Sequence, residues 1–196
     1  MDEEREKAYD NYLSSHIDPE GDYLYRLYRA TNIHTIHGRM ASGHLQGRLL
    51  KMLVQMIRPK NILEVGTFSG YSAICMAEGL EEGGKVYTFE INDEMEDFTR
   101  PWIEQSHVAN KIDFRIGDAA KEAPKLGITF DMAFVDGDKR TYAEVLRNYY
   151  LLSALVDTSL PITRYGTGTS LIQLMTTTTK PLVFDNSMIL SPKMSV

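Results

Sequence analysis

Residues Asn61 to Gly70, NILEVGTFSG, pass within ten positions from an almost wholly apolar run to a turn punctuated by two glycines, and a helical window follows near 70–82. A short apolar run bounded by a turn marks a strand buried on both faces, and a strand that feeds a helix is half of a parallel crossover unit. The rhythm recurs three times. KVYTFEI (85–91) leads into a window near 93–108, KIDFRIG (111–117) into one near 119–126, and TFDMAFVDG (129–137) into one near 140–152. Four such units predict an α/β fold, a doubly wound and mostly parallel sheet. Pro101 falls inside the second window, where it removes a backbone donor and predicts a kink or restart.

Working outward, residues 2–15 and Tyr23 to Asn32 read as helices separated by the breaker Asp18-Pro19-Glu20-Gly21, so residues 1–40 form an N-terminal helical cap. From Ala41 to Arg58, Leu45, Leu49, Met52, Leu53 and Met56 recur at helical spacing, which predicts a face packed on the core before Pro59 stops the helix. With 196 residues, 43% hydrophobic content and net charge −6, the chain reads as one soluble domain with no bulk positive charge for nucleic acid or membrane. The lone Cys75, among apolar neighbours, reads as an inert core thiol. With no signal-peptide start and no long apolar run, a cytoplasmic location is expected.

In open parallel sheets ligands bind beyond the carboxyl ends of the strands. Those ends carry Glu64, Gly66 and Thr67 after the first run, Glu90 after the second, Gly117-Asp118 after the third and Asp136-Gly137-Asp138 after the fourth. The glycines at 66 and 70 make G-x-x-x-G, which is neither the dinucleotide fingerprint nor a phosphate loop. Glu64 would repel a diphosphate and suit a positive centre. Glu90 lies 24 residues after Gly66, close to the spacing at which a carboxylate reaches ribose hydroxyls. S-adenosylmethionine combines a nucleoside, a sulfonium cation and an amino-acid end whose carboxylate would sit on the N–H groups of Thr67 to Gly70. His34, His37 and His44 match no zinc spacing. Trp102 and the tyrosines at 23, 25 and 28 read as packing residues.

MASGHLQGRLLKMLVQMIRPKNILEVGTFSGYSAICMAEGL, TFEIN, RIGDA and FVDGDKRTY, in that order across residues 40–142, resemble the class I S-adenosylmethionine-dependent O-methyltransferases of the caffeoyl-CoA and catechol type. The resemblance implies a Rossmann-like sheet and a cofactor-binding core over 41–152. It implies cofactor contacts by Glu64, Gly66, Thr67, Ser72 and Glu90, with Ser42 near the amino-acid end and Asp118 and Ala119 beside the adenine. It also implies that Asp136 is a ligand to a divalent cation, Mg²⁺ or Ca²⁺, and that Asp138 and Lys139 stand at the reacting centre. Lys139 would take the acceptor's proton, and the acceptor would be a small catechol-like or hydroxycinnamoyl-like molecule. A homodimer is implied by the same resemblance.

Residues 153–196 are different in character. Residues 159–196 hold four of the 48 charged residues, with seven threonines and five serines. The family continues with a fifth strand ending in Asp-Asn, two further metal ligands, and then antiparallel strands; here these are expected to be missing or altered. Leu160 to Ser170, LPITRYGTGTS, can be encoded so that a two-base shift of frame reads Ala-Asp-Asn-Thr-Val-Trp-Asp-Gly-His-Val, like the expected segment. The same shift turns Thr176 to Thr179 into aspartates and places the slip near 150–153. A frameshifted tail would weaken or abolish metal binding and impair transfer, because these cations need several oxygen ligands. The alternative reading is a non-catalytic S-adenosylmethionine or nucleoside binding protein; a nicotinamide dehydrogenase is disfavoured by the glycine spacing.

Overall fold

The computed structural model describes residues 3–137 together with the backbone at 160–163, 172–175 and 181–184. Two helices, α1 (Glu3–His16) and α2 (Asp22–His34), precede α3 (Gly43–Ile57), and the alternating core follows as β1 (Asn61–Val65), α4 (Tyr71–Gly79), β2 (Lys85–Glu90), α5 (Glu96–Glu104), β3 (Ile112–Ile116), α6 (Ala119–Glu122) and β4 (Met132–Val135). Then come β5 (Leu160–Thr163), β6 (Ile172–Met175) and β7 (Pro181–Phe184). The sheet order is β3-β2-β1-β4-β5-β6-β7, parallel through β5 and antiparallel for β6 and β7. Connection direction reverses between β1 and β4, which opens a crevice at their carboxyl ends.

The four predicted strands form where the apolar runs lie, and both faces of the sheet are covered. Ile62, Val86, Ile112, Phe114, Met132 and Phe134 pack on one side with α2, α3, α4 and α5. Leu63, Val65, Phe89, Ala133 and Val135 pack on the other with Ala119, Ala120 and Ala123. This is the two-residue alternation of a strand expressed on a doubly buried sheet. The α5 helix runs through Pro101 and ends three residues later, and the window at 119–126 closes as one α turn followed by a 3₁₀ turn at Ala123–Leu126 that contains Pro124. The window at 140–152 lies outside the described residues.

Two expectations need correction. The first concerns α3: Leu53 packs against the core, but Leu45, Met52 and Met56 are 47%, 47% and 72% exposed, while Gly47, Arg48, Leu50 and Val54 are buried. The reason is steric. A Cβ at Gly47 would lie 2.6 Å from Cys75 Sγ and 2.7 Å from the Tyr71 ring, and one at Gly79 would lie 2.7 Å from Lys51 O. Two helices that approach this closely must meet through their glycines, so the bulkier apolar side chains turn away. Arg48 in the contact donates to Cys75 Sγ and pairs with Glu78 Oε2 at 3.0 Å, which compensates its burial.

The second concerns the tail. The antiparallel strands, expected to be missing or altered, are present as β6 and β7, and β5 occupies the fifth parallel position. The sequence there is altered all the same, because residues 160–170 contain no Asp-Asn pair. Cys75 is fully buried as expected, and burial pushes its thiol up to about 12, consistent with an inert role. No helix among the described residues is long and apolar enough to cross a membrane.

Candidate functional site

The strand ends are stitched into one rim by backbone hydrogen bonds. Gly66 N–H and Thr67 N–H both donate to Phe89 O (2.9 and 3.2 Å), Gly117 N–H donates to Glu90 O (2.7 Å), and Asp136 N–H donates to Val65 O (2.9 Å). Gly66 has φ +94°, and a Cβ there would meet Asp136 O at 2.9 Å, so only glycine lets the chain leaving β1 pass the chain leaving β4. Glu64, Glu90 and Asp136 therefore lie along one rim, close enough for Asp136 and Glu90 to act electrostatically on Glu64.

Glu64 sits on β1 with Thr88 of β2 and Phe134 of β4 beside it in register. It is fully buried, and neither carboxylate oxygen has a hydrogen-bond partner among the described residues. Burial pushes the carboxyl up to about 8, and the negative charges of Asp136 and Glu90 push the same way. The hydroxyls of Ser72 and Thr88 are near enough to pull it down, but neither is aligned as a hydrogen bond, and Thr88 Oγ1 is paired with Thr67 Oγ1 at 2.6 Å. An orphaned buried carboxylate of this kind either holds a proton or receives a cation.

Glu90 is nearly buried, and its two oxygens are already engaged: Oε2 accepts Phe68 N–H at 2.7 Å and Oε1 accepts Asn92 N–H at 2.9 Å. An ionised carboxylate has about four acceptor positions, so capacity remains for ligand hydroxyls. The turn itself corrects a sequence expectation. Thr67 N–H goes to Phe89 O, Phe68 N–H to Glu90 and Gly70 N–H to Thr67 O, leaving Ser69 as the only one of the four without an internal bond among the described residues. The turn spends its donors on holding itself shut. The N–H groups of Tyr71, Ser72 and Ala73, in the first turn of α4, have no acceptor within the helix and remain as donors beside the turn.

Of the remaining predicted residues, Ser72 is buried in that first turn of α4, and Ser42 precedes α3, half-buried and without a capping bond from its side chain. Asp118 caps α6: Oδ1 accepts Ala120 N–H at 3.0 Å, and Oδ2 lies 3.1 Å from Lys121 Nζ. Ala119 follows it, buried. Asp138 and Lys139 lie outside the described residues. Among the described residues no group of three His, Cys, Asp or Glu side chains could hold a metal ion, and His44 bonds Asp18 O instead. Residues 160–170 contain no aspartate or asparagine that could join Asp136 as a ligand to a hard divalent cation. Sequence reasoning missed Thr88, Asn92 and Thr99; the first pairs across the sheet, and the others act through backbone groups that no motif spacing reports.

A family model described as O-methyltransferase matches residues 13–156. The chain belongs to the O-methyltransferase family. Among relatives, it is 34% identical over 146 residues to tricin synthase 2 of Oryza sativa subsp. japonica, covering 71% of this chain and 50% of that one. It is 40% identical over 109 residues to a caffeoyl-CoA O-methyltransferase of Petroselinum crispum, covering 53% and 45%. The chain thus spans about half the length of the curated relatives it matches. Among solved structures of the family, it is similar to the Bacillus cereus O-methyltransferase in complex with SAH (TM-score 0.72, 29% identity, 80% and 71% coverage). It is also similar to TomG of Streptomyces achromogenes in complex with SAM (TM-score 0.75, 28% identity, 83% and 74% coverage).

Proposed function

We propose that the chain binds S-adenosylmethionine at the β1–β2 rim and passes its methyl group to a hydroxyl of a small catechol-like or hydroxycinnamoyl-like acceptor. The observation behind this reading is Glu64: a fully buried carboxylate without a hydrogen-bond partner, at a rim it shares with Glu90 and Asp136, accommodates a cationic, adenosine-bearing ligand. Such a ligand, when bound, supplies an electrophilic methyl on sulfur. Glu64 would then hold positive charge, Glu90 would accept from the ribose, the first turn of α4 and Ser42 would receive the amino-acid end, and Asp118-Ala119 would border the base. Asp138 and Lys139 would stand beside the acceptor, with Lys139 taking its proton.

The acceptor side is the weaker half in this reading. Because residues 160–170 contain no aspartate or asparagine to join Asp136, cation assistance would be reduced or lost, in keeping with a shifted reading frame from about 150–153 onward. The second reading, a binding protein without transfer, follows from the same lack of an Asp-Asn pair in residues 160–170. Titration of the purified chain with S-adenosylmethionine, and with NAD as a control, tests the first step. A transfer assay on a catechol with and without Mg²⁺ then separates the readings. Binding with slow, metal-independent transfer is the expected result, and fast Mg²⁺-dependent transfer contradicts the impaired tail. Sedimentation of the same preparation tests the homodimer, and sequencing of the gene across codons 148–160 tests the frame.

A further inference from the structure

Phe68 has φ +48°, a left-handed conformation that an L-residue with a bulky side chain adopts only when its surroundings hold it there. Its peptide groups are gripped from two directions. On one side its N–H donates to Glu90 Oε2 at 2.7 Å. On the other its carbonyl accepts the hydroxyl of Thr99, a fully buried residue in the first turn of α5 and 31 positions away in sequence. A helical threonine ordinarily turns its hydroxyl back onto a carbonyl of its own helix. Here it reaches out of the helix into the turn after β1.

The packing around this bond leaves little slack. A Cβ at Gly70 would lie 3.0 Å from Ile103 Cγ1 and 3.4 Å from Thr99 Cγ2, so the face of α5 that carries Thr99 and Ile103 presses directly on the turn. Were the Phe68 carbonyl released, the strained residue would relax toward negative φ and its N–H would swing away from Glu90. Glu90 would keep only the Asn92 N–H, on its other oxygen. Its carboxylate would then be free to rotate.

We propose that Thr99 is a positioning residue for the adenosyl donor: through Phe68 it locks the Glu90 carboxylate in the orientation that receives the ribose hydroxyls. The proposal rests on the S-adenosylmethionine reading above. The test uses the full 196-residue chain as wild type, Thr99→Ser and Thr99→Val, with Thr99→Ala carried alongside so that a valine variant that does not fold leaves the comparison standing. Calorimetric affinities are measured for S-adenosylhomocysteine and its 2′,3′-dideoxy analogue. Loss of the hydroxyl is expected to weaken S-adenosylhomocysteine about tenfold, with serine restoring it and the dideoxy analogue bound equally by all variants. Unchanged affinity in Thr99→Val and Thr99→Ala, or equal losses for both ligands, overturns the proposal while leaving the cofactor reading intact. A wild type that binds neither ligand overturns the cofactor reading and this inference with it.

Discussion

The rim above β1 and β2 and the rim above β4 and β5 are neighbours in one sheet, yet they are furnished in opposite ways. Above β1 and β2 almost every polar group is engaged by a neighbour. Glu90 is held by Phe68 and Asn92, Phe68 by Thr99 and Thr67 by Thr88, while the Glu64 carboxylate has no hydrogen-bond partner among the described residues. Above β4 stands Asp136, and across the sheet residues 160–170, which include β5, contain no carboxylate. The bonded centre of the first rim, Glu64 to Thr99, lies within one continuous stretch of sequence. On the proposed reading the second needs a contribution from beyond residue 160 and would be lost if that stretch changed. A local site can therefore survive damage to the tail that a composite site cannot.

Substitutions at the first rim should have the largest effects. Glu64→Gln keeps the shape and removes the charge, and should weaken S-adenosylmethionine by at least about a hundredfold at pH 8, roughly 3 kcal/mol, because a buried cation would lose its counter-charge. Calorimetry reads this directly, and an unchanged affinity would remove Glu64 from the site. Gly66→Ala forces a side chain into φ +94° and onto Asp136 O at the junction of the two rims. A stability loss of about 2–3 kcal/mol is expected from denaturant unfolding, with both rims affected together.

Smaller effects sharpen the contrast. Because the folded-state pKa of Glu64 lies above its unfolded value, the folded protein holds a proton that the unfolded chain gives up between the ordinary carboxylate range and about 8. The ligand-free protein should thus be most stable at the acid end of that window and lose up to about 1.4 kcal/mol per pH unit as pH rises through it, levelling off above pH 8. Glu64→Gln should flatten this slope. Asp118→Ala removes the cap of α6 at the edge of the first rim and should cost about 1 kcal/mol of stability. Least of all, adding Mg²⁺ or a chelator should change any transfer rate by less than about twofold, since residues 160–170 supply no carboxylate to share the cation with Asp136.

The division between what was legible in the sequence and what was not follows the same line. Strands β1 to β4 and the placement of Glu64, Glu90 and Asp136 at their ends could be read, because doubly buried strands leave unbroken apolar runs. The inward face of α3 could not, because Gly47 and Gly79 set the approach to α4 and periodicity weighs only the large apolar residues. The closed turn was equally hidden, since backbone donors carry no sequence signature and Thr99 reaches Phe68 from another element. Strands β5 to β7 were obscured by a threonine-rich stretch with few charges to mark its boundaries.

The most direct measurement is calorimetric titration of the chain with S-adenosylmethionine at pH 7 in two buffers of different ionisation enthalpy. If the cation enters beside Glu64, the buried carboxyl must ionise, and binding should release close to one proton, so that the apparent heat differs between the buffers. Binding with the same heat in both, or no binding at all, would contradict the assignment of Glu64 as the counter-charge of the methyl donor.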